Sequence, residues 1–147
     1  MLTYDQMMQM AMASDFCETV DLNGPAFLAP ESMTEAVRSY LGRPELPLKD
    51  VLSCVYHSLA QSYKTAILEI EKISGKKIKD IYIVGGGSKD GYLNTLTARY
   101  TGRRVLTGVK EGTAAGNILS QIMRDLGLSL DEARKIIKNT YEMKEYK

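Results

Sequence analysis

The sequence of 147 residues is poor in the residues that build metal centres and disulfide frameworks. It contains no tryptophan, one histidine (His57) and two cysteines, Cys17 and Cys54. One histidine and two widely separated cysteines exclude the histidine-rich and cysteine-rich ligand spacings of zinc sites. We therefore expect no metal-ligating residues on this chain. We expect two reduced, partly buried thiols, as in a cytoplasmic protein, and not a disulfide.

Long apolar runs and an excess of one charge are also missing. No stretch of about 18 apolar residues occurs, which excludes a membrane-spanning helix. The N-terminal string MLTYDQMMQMAMASD has neither the basic start nor the uninterrupted apolar core of a signal peptide. The formal net charge is +1, so nothing directs the chain to nucleic acid or to an anionic membrane. With 44% hydrophobic and 25% charged residues, the composition predicts one globular, cytoplasmic unit.

Capping signals and apolar periodicity predict helices in the first half of the chain. Thr3 with Gln6, and Ser32 with Glu35, fit capping boxes. A long helix is predicted from about residue 49 to 73, because apolar residues recur there at helical spacing. His57 falls on the face opposite the apolar stripe and is predicted to be a solvated surface residue. The predicted stripe consists of Leu52, Val55, Tyr56, Leu59, Tyr63, Ile67, Ile70 and Ile73.

The second half of the chain has a different pattern. A β-branched run at 81–84 predicts a buried parallel strand, which is followed by three glycines and a helix that ends at Gly102. A second strand (103–107), a loop and a helix that reaches 126 follow. A last helix runs from Ser129 through Tyr141 and begins at a third capping box, Ser129 with Glu132. Right-handed crossover makes the two strands of such a βαβα unit parallel. The expected fold class is therefore α/β, predominantly helical, with short parallel strands that form part of a larger sheet.

The three glycines between strand and helix allow a ligand to approach the backbone, because no Cβ is in the way. The start of the next helix offers unpaired N–H groups, which favour an anionic group such as a nucleotide phosphate. A tight turn without any ligand is an equally good interpretation of the glycines alone. The P-loop pattern is absent, and the dinucleotide fingerprint fails at Asp90 and again at Thr107-Gly108, where an acid would be needed. A dehydrogenase domain is therefore a weak alternative.

Four strings, in order, resemble a known family. They are Phe27–Pro30 (FLAP) with Met33, Ser58–Ala60 (SLA) within the long helix, Ile81–Asn94 (IYIVGGGSKDGYLN) and Glu111–Asn117 (EGTAAGN). Together they resemble the carbohydrate kinases of the FGGY family, and within that family the rhamnulokinases. The resemblance extends over nearly the whole chain, from about residue 2 to 141.

The resemblance implies two actin-like, ribonuclease-H-like domains, with ATP bound mainly to the second domain and the sugar to the first. Residues 1–147 would form a single unit, the distal part of the second domain, and its partners would be ATP or ADP and the missing N-terminal kinase domain. Mg would be held mainly by the phosphates and by residues outside this chain. The nucleotide-binding residues would be Gly85, Gly86 and Gly87, with Ser88 and Asp90 nearby and Glu111 and Asn117 as structural supports.

Two residues depart from the family's pattern. Asp90 stands where the family usually has asparagine, and Arg99 replaces an acidic residue. An ionised aspartate cannot donate a hydrogen bond to a nucleotide, so weaker nucleotide binding is expected. The family's catalytic aspartate would precede this segment, so the chain is expected to be inactive alone. A non-catalytic nucleotide-binding or interaction module is the alternative, and uncovered sheet edges and apolar faces predict self-association.

Overall fold

The computed structural model describes residues 2–108 and 112–147, and Glu111 therefore lies outside the described residues. Two short 3-10 turns, Pro25–Phe27 and Gly86–Lys89, connect longer elements. In chain order the longer elements are α1 (Tyr4–Met12), α2 (Met33–Leu41), α3 (Leu48–Ser74), β1 (Asp80–Ile83), α4 (Gly91–Thr101), β2 (Arg104–Thr107), α5 (Gly112–Leu126), α6 (Leu130–Thr140) and β3 (Lys144–Tyr146). None of the described helices combines the length and the apolar character needed to cross a membrane.

The helix starts follow the capping signals of the sequence. The Thr3 side chain accepts a hydrogen bond from the Gln6 backbone N–H, and the Gln6 side chain accepts one from the Thr3 backbone. Ser129 and Glu132 form the same reciprocal pair at the start of α6. At α2 the Ser32 hydroxyl caps the helix without the reciprocal bond. Each such cap contributes about 1 kcal/mol to helix stability.

The sheet is small and mixed, with the order β1-β2-β3. Strands β1 and β2 pair in parallel, with Asp80 opposite Arg104 and Ile83 opposite Thr107, as the βαβ pattern predicts. Strand β3 was not predicted: the last helix ends at Thr140, before Tyr141, and the chain then turns back to pair antiparallel with β2. The sequence Lys-Glu-Tyr has no strand pattern of its own, so its conformation depends on the open edge of β2.

Helix α3 joins the two hydrophobic clusters of the described structure. One cluster lies between α2, the segment that precedes it and the start of α3, and the other joins α1, α3 and α4. Cys54 belongs to the first cluster, whereas Cys17 is exposed, and both thiols are free. The first cluster contains Val20, Phe27, Val37, Leu46, Val51 and Cys54, and the second contains Ala11, Tyr56, Ala60 and Leu96.

Large apolar side chains remain exposed on several elements, most continuously on the end of α3, at β1 and on α5. Helix α5 has no buried residue among those described, although its apolar residues share one face. The predicted apolar stripe of α3 packs in the first half of the helix but is exposed towards its C-terminus. The prediction that β1 is buried is wrong in this chain, because no described residue covers the outer side of that strand. The exposed apolar residues include Ile70 and Ile73 on α3, Tyr82 and Val84 at β1, and Ile118, Ile122 and Leu126 on α5.

A buried carboxylate ties the end of α3 to the start of β2. Glu71 accepts hydrogen bonds from the backbone N–H of Ile78 at 2.8 Å, from Lys77 Nζ at 3.0 Å and from Arg103 Nη2 at 3.0 Å. These donors, the Ile78 backbone first, lower the pKa of Glu71 to about 2. The carboxylate therefore stays charged at neutral pH and holds the loop that leads into β1.

Candidate functional site

The glycine turn begins where β1 ends, at the carboxyl edge of the parallel strands. Gly85 has φ 74° and ψ −154°, a conformation that favours glycine. The φ values of Gly86 and Gly87 are not positive. A Cβ on Gly86 would meet nothing within 4 Å, and one on Gly87 would lie 3.9 Å from Ile83. Only Gly85 needs glycine for its backbone angles, so the other two leave an open, bare stretch of main chain.

Ser88 closes this turn internally and does not face outward. Its side chain is buried, and its Oγ donates a hydrogen bond to the Gly85 carbonyl at 2.6 Å. The Ser88 carbonyl in turn accepts a bond from Asn94 Nδ2 at 3.2 Å. Asn94 is fully buried on α4, and its Oδ1 has no hydrogen-bond partner among the described residues. Ser88 and Asn94 therefore set the shape of the turn.

Asp90 caps α4 and has both carboxylate oxygens engaged. Oδ1 accepts from the Leu93 backbone N–H at 2.9 Å, and Oδ2 accepts from the Tyr56 hydroxyl at 2.7 Å. Tyr56 lies on α3 and is 9% exposed, and its pKa is raised by burial and by the Asp90 carboxylate. The carboxylate occupies the positive end of the α4 dipole. An anionic ligand would therefore meet the bare glycine backbone, since Asp90 already holds the start of α4.

Two neighbouring segments border the turn. The start of α5 lies against the end of β1, because a Cβ on Gly112 would be 3.2 Å from the Val84 Cβ. The connection between α6 and β3 lies against the end of β2: a Cβ on Gly108, at φ 141°, would be 2.5 Å from the Glu142 carbonyl oxygen. Asn117 is exposed on α5, and its side chain makes no hydrogen bond to another described residue.

Between the glycine turn and the C-terminal strand lies an open groove of about 620 Å³. It lies at the carboxyl ends of β1 and β2, the edge at which open α/β sheets bind their ligands. Its lining is polar and apolar in similar parts and includes Ser88, Lys89, Thr107, Tyr141, Glu142 and Lys144. The volume is within the usual range of small-molecule sites. The groove and the bare glycine backbone thus lie at the same edge of the sheet.

The sequence did not reveal the roles of Tyr56 and Asn94 at this site, or that of His57 elsewhere on α3. Tyr56 was assigned to an apolar stripe and Asn94 was not singled out, because their partners are far away along the chain or are backbone atoms. His57 is not a solvated surface residue: it is half-buried, with Nδ1 2.7 Å from the Tyr100 hydroxyl, and burial and the nearby Arg99 lower its pKa. It joins α3 to α4 away from the turn. Within the described residues, no three His, Cys, Asp or Glu side chains form a metal-ligand group.

Comparison with known proteins identifies the family. The model of the FGGY family of carbohydrate kinases, C-terminal domain, matches residues 6–124. The rhamnulokinase of Halalkalibacterium halodurans is 38% identical over 98% of this chain and 32% of its own length. That of Oceanobacillus iheyensis is 39% identical over 93% of the chain and 30% of its own length, and that of Bacillus subtilis is 35% identical over 88% and 28%.

The chain thus spans about a third of the length of the curated relatives that it matches. The α/β class predicted from the sequence, with short parallel strands, is confirmed, and the C-terminal domain of this family has the actin-like, ribonuclease-H-like ATPase fold. The family resemblance stated from the four sequence strings is also confirmed. This chain therefore belongs to the FGGY family of carbohydrate kinases and corresponds to part of the family's C-terminal domain.

Proposed function

We propose that this chain is the adenosine-binding wall of an ATP-dependent sugar kinase. The reaction of the whole enzyme would be that of a rhamnulokinase, in which L-rhamnulose and ATP give L-rhamnulose 1-phosphate and ADP. One observation carries the proposal: the bare main chain of Gly86 and Gly87 at the carboxyl end of β1. The names and the extent of the related proteins support the choice of sugar.

In this proposal Gly85, Gly86 and Gly87 contact the adenosine and the α-phosphate through their main chain. Ser88 and Asp90 support the site without contacting the nucleotide, since their polar atoms close the turn and cap α4. Asn117, on α5, supports the neighbouring wall, and Glu111 is proposed to do the same. Mg²⁺ would arrive with the phosphates and would be held mainly by residues outside this chain, since the described carboxylates do not gather into a ligand set.

Phosphoryl transfer requires the nucleophile, the metal and the phosphates to be positioned together. The adenosine wall supplies only one of these requirements. We therefore propose that residues 1–147 are the distal part of the second kinase domain and that the base which activates the sugar lies elsewhere in the kinase. The chain alone should give no turnover with L-rhamnulose, ATP and Mg²⁺, and measurable turnover by the chain alone would contradict this assignment.

We propose that the rest of the kinase packs against the exposed apolar residues near β1 and on α5. Tyr82 and Val84 at β1, and Ile118, Ile122 and Leu126 on α5, form the exposed apolar faces. The relatives are about three times as long as this chain, so we propose that the rest of such a kinase covers these faces. Without it, exposed apolar surface favours self-association. Light scattering of the isolated chain should show particles larger than a monomer, and a stable monomer at high concentration would count against this proposal.

Nucleotide binding can be tested by placing a side chain on the bare backbone. Gly86→Val is suited to this test, because the φ of Gly86 is not positive and a Cβ there would meet nothing within 4 Å. The same is true of Gly116→Val on α5, which is the matched control. In calorimetric titrations with ATP and ADP at up to millimolar concentration, Gly86→Val should abolish binding and Gly116→Val should not. If the unmodified chain binds neither nucleotide, the proposal is overturned.

A second candidate is a non-catalytic module derived from a sugar kinase. The observation that favours it is Asp90, because its negative charge occupies the helix start that an anion would otherwise use. Asp90→Asn should retain the cap to the Leu93 N–H and remove this charge, so nucleotide affinity should rise several-fold. If neither the parent nor Asp90→Asn binds a nucleotide at millimolar concentration, the module is not a nucleotide-binding one.

A further inference from the structure

The groove beside the glycine turn has a wall that lies outside the residues matched by the family model. The turn and the end of β2 provide two sides, and both lie within the residues that the family model matches. The third side consists of residues 140–146, the segment that joins α6 to β3 together with β3 itself. The family match ends at residue 124. A wall of the groove is therefore built from sequence beyond the family model, although the alignment with the Halalkalibacterium halodurans rhamnulokinase covers 98% of the chain.

This third wall is fixed in place at both ends. At one end the backbone of residues 142–143 packs directly against Gly108. A Cβ on Gly108 would lie 2.5 Å from the Glu142 carbonyl oxygen and 3.1 Å from the Met143 Cα. At the other end the Tyr146 hydroxyl lies 3.7 Å from the position that a Cβ on Gly91 would occupy, at the start of α4. Between these contacts Lys144 pairs with Thr107 in the β2–β3 ladder. The segment is part of the sheet and not a loose tail.

The charged residues of the groove include one lysine on each side. Lys89 is in the glycine turn, Lys144 is in β3, and Glu142 is the acidic residue of the lining. Tyr141 and Tyr146 also line the groove, and its exposed surface is polar and apolar in similar parts. Two cations beside one carboxylate favour a phosphate over a cationic molecule. The adjoining bare glycine backbone belongs to the same edge of the sheet.

We propose that residues 140–146 form the third wall of the nucleotide site and that Lys144, together with Lys89, binds a phosphate group of the ligand. This inference rests on the proposed nucleotide-binding function and goes beyond it, since it assigns phosphate recognition to the C-terminal strand. The ligand class is a phosphate-bearing molecule, and ADP, adenosine and inorganic phosphate are the probes that distinguish its sources.

The test compares lysine variants of the 147-residue chain by calorimetry. Lys144→Met should weaken ADP binding about fivefold, as loss of one partly exposed charge contact does, and should leave adenosine binding unchanged within twofold. Lys144→Arg should restore the affinity for ADP. Lys89→Met should act in the same direction as Lys144→Met. The matched control is Lys135→Met, which removes the same charge from the exposed side of α6 and should leave ADP binding unchanged.

Each outcome separates this inference from the function on which it depends. Equal ADP affinity in Lys144→Met and Lys135→Met overturns the inference and leaves the nucleotide site in place, provided that Gly86→Val still abolishes binding. Equal losses of ADP and adenosine affinity in Lys144→Met indicate a structural effect and also overturn it. Binding of inorganic phosphate as strong as that of ADP shows a general phosphate site and overturns the assignment to a nucleotide. Absence of ADP binding by the parent chain overturns both proposals.

Discussion

The two ends of this chain differ in how many of their apolar side chains are buried. Helices α1 and α2 and the first half of α3 pack into two clusters, in which side chains such as Val37 and Cys54 are fully buried. Helix α5 carries as clear an apolar face, yet none of its described residues is buried. An amphipathic sequence pattern thus identifies the face of a helix that is suited to burial. It does not show whether the residues that would pack against this face are on the same chain.

The strongest way to test this contrast is to truncate the same residue type at both ends. Leu96 on α4 is 1% exposed and Leu126 on α5 is 71% exposed. Leu96→Ala should lower the free energy of unfolding by about 2–5 kcal/mol, because it leaves a cavity in the α1–α3–α4 cluster. Leu126→Ala should change it by less than about 0.5 kcal/mol. Urea unfolding followed by circular dichroism measures both, and equal losses would mean that α5 is packed in solution.

The bond between the long helix and the glycine turn should have a smaller effect. Tyr56→Phe removes the hydroxyl that donates to Asp90 and keeps the ring in the core. The expected loss in the free energy of unfolding is about 1–2 kcal/mol, since the acceptor is a charged carboxylate. Tyr63→Phe, at an exposed position on the same helix, is the control. If both variants are as stable as the parent, the Tyr56–Asp90 contact does not hold the turn to α3.

Acid should lower the free energy of unfolding by protonating Glu71, which joins the end of α3 to the loop before β1 and to Arg103. The folded pKa of Glu71, about 2, lies below its ordinary value of 4.5, so its contribution to stability is complete above pH 4.5 and is lost as the pH falls towards 2. Glu71→Gln should reduce the part of the stability change that falls in this window, whereas Glu69→Gln on the exposed side of α3 should not. Thermal unfolding at a series of pH values measures the difference. An unchanged acid profile in Glu71→Gln would exclude this carboxylate as the cause.

Local signals in the sequence were sufficient for much of this fold. The caps at Thr3 and Ser129, the parallel pairing of β1 with β2 and the position of the glycine turn were all predicted, because each depends on residues that are close in the chain or on the handedness of a βα connection. The candidate site was harder to predict from the sequence. The binding roles of Gly85, Gly86 and Gly87 stay a prediction, and the contacts that shape their turn come from distant residues such as Tyr56.

The amino-acid sequence by itself determined the helices, the family and the bare backbone after β1, since propensity, periodicity and missing side chains act over a few neighbouring residues. Tertiary structure alone decided that the Tyr56 hydroxyl donates a hydrogen bond to the Asp90 carboxylate and that His57 is half-buried. It also decided that the last residues form a strand that pairs with β2. The physical reason is that these features depend on pairs of groups far apart in the chain. Hydrogen bonds and strand pairing of that kind form only when the packed helices and the sheet bring both partners together.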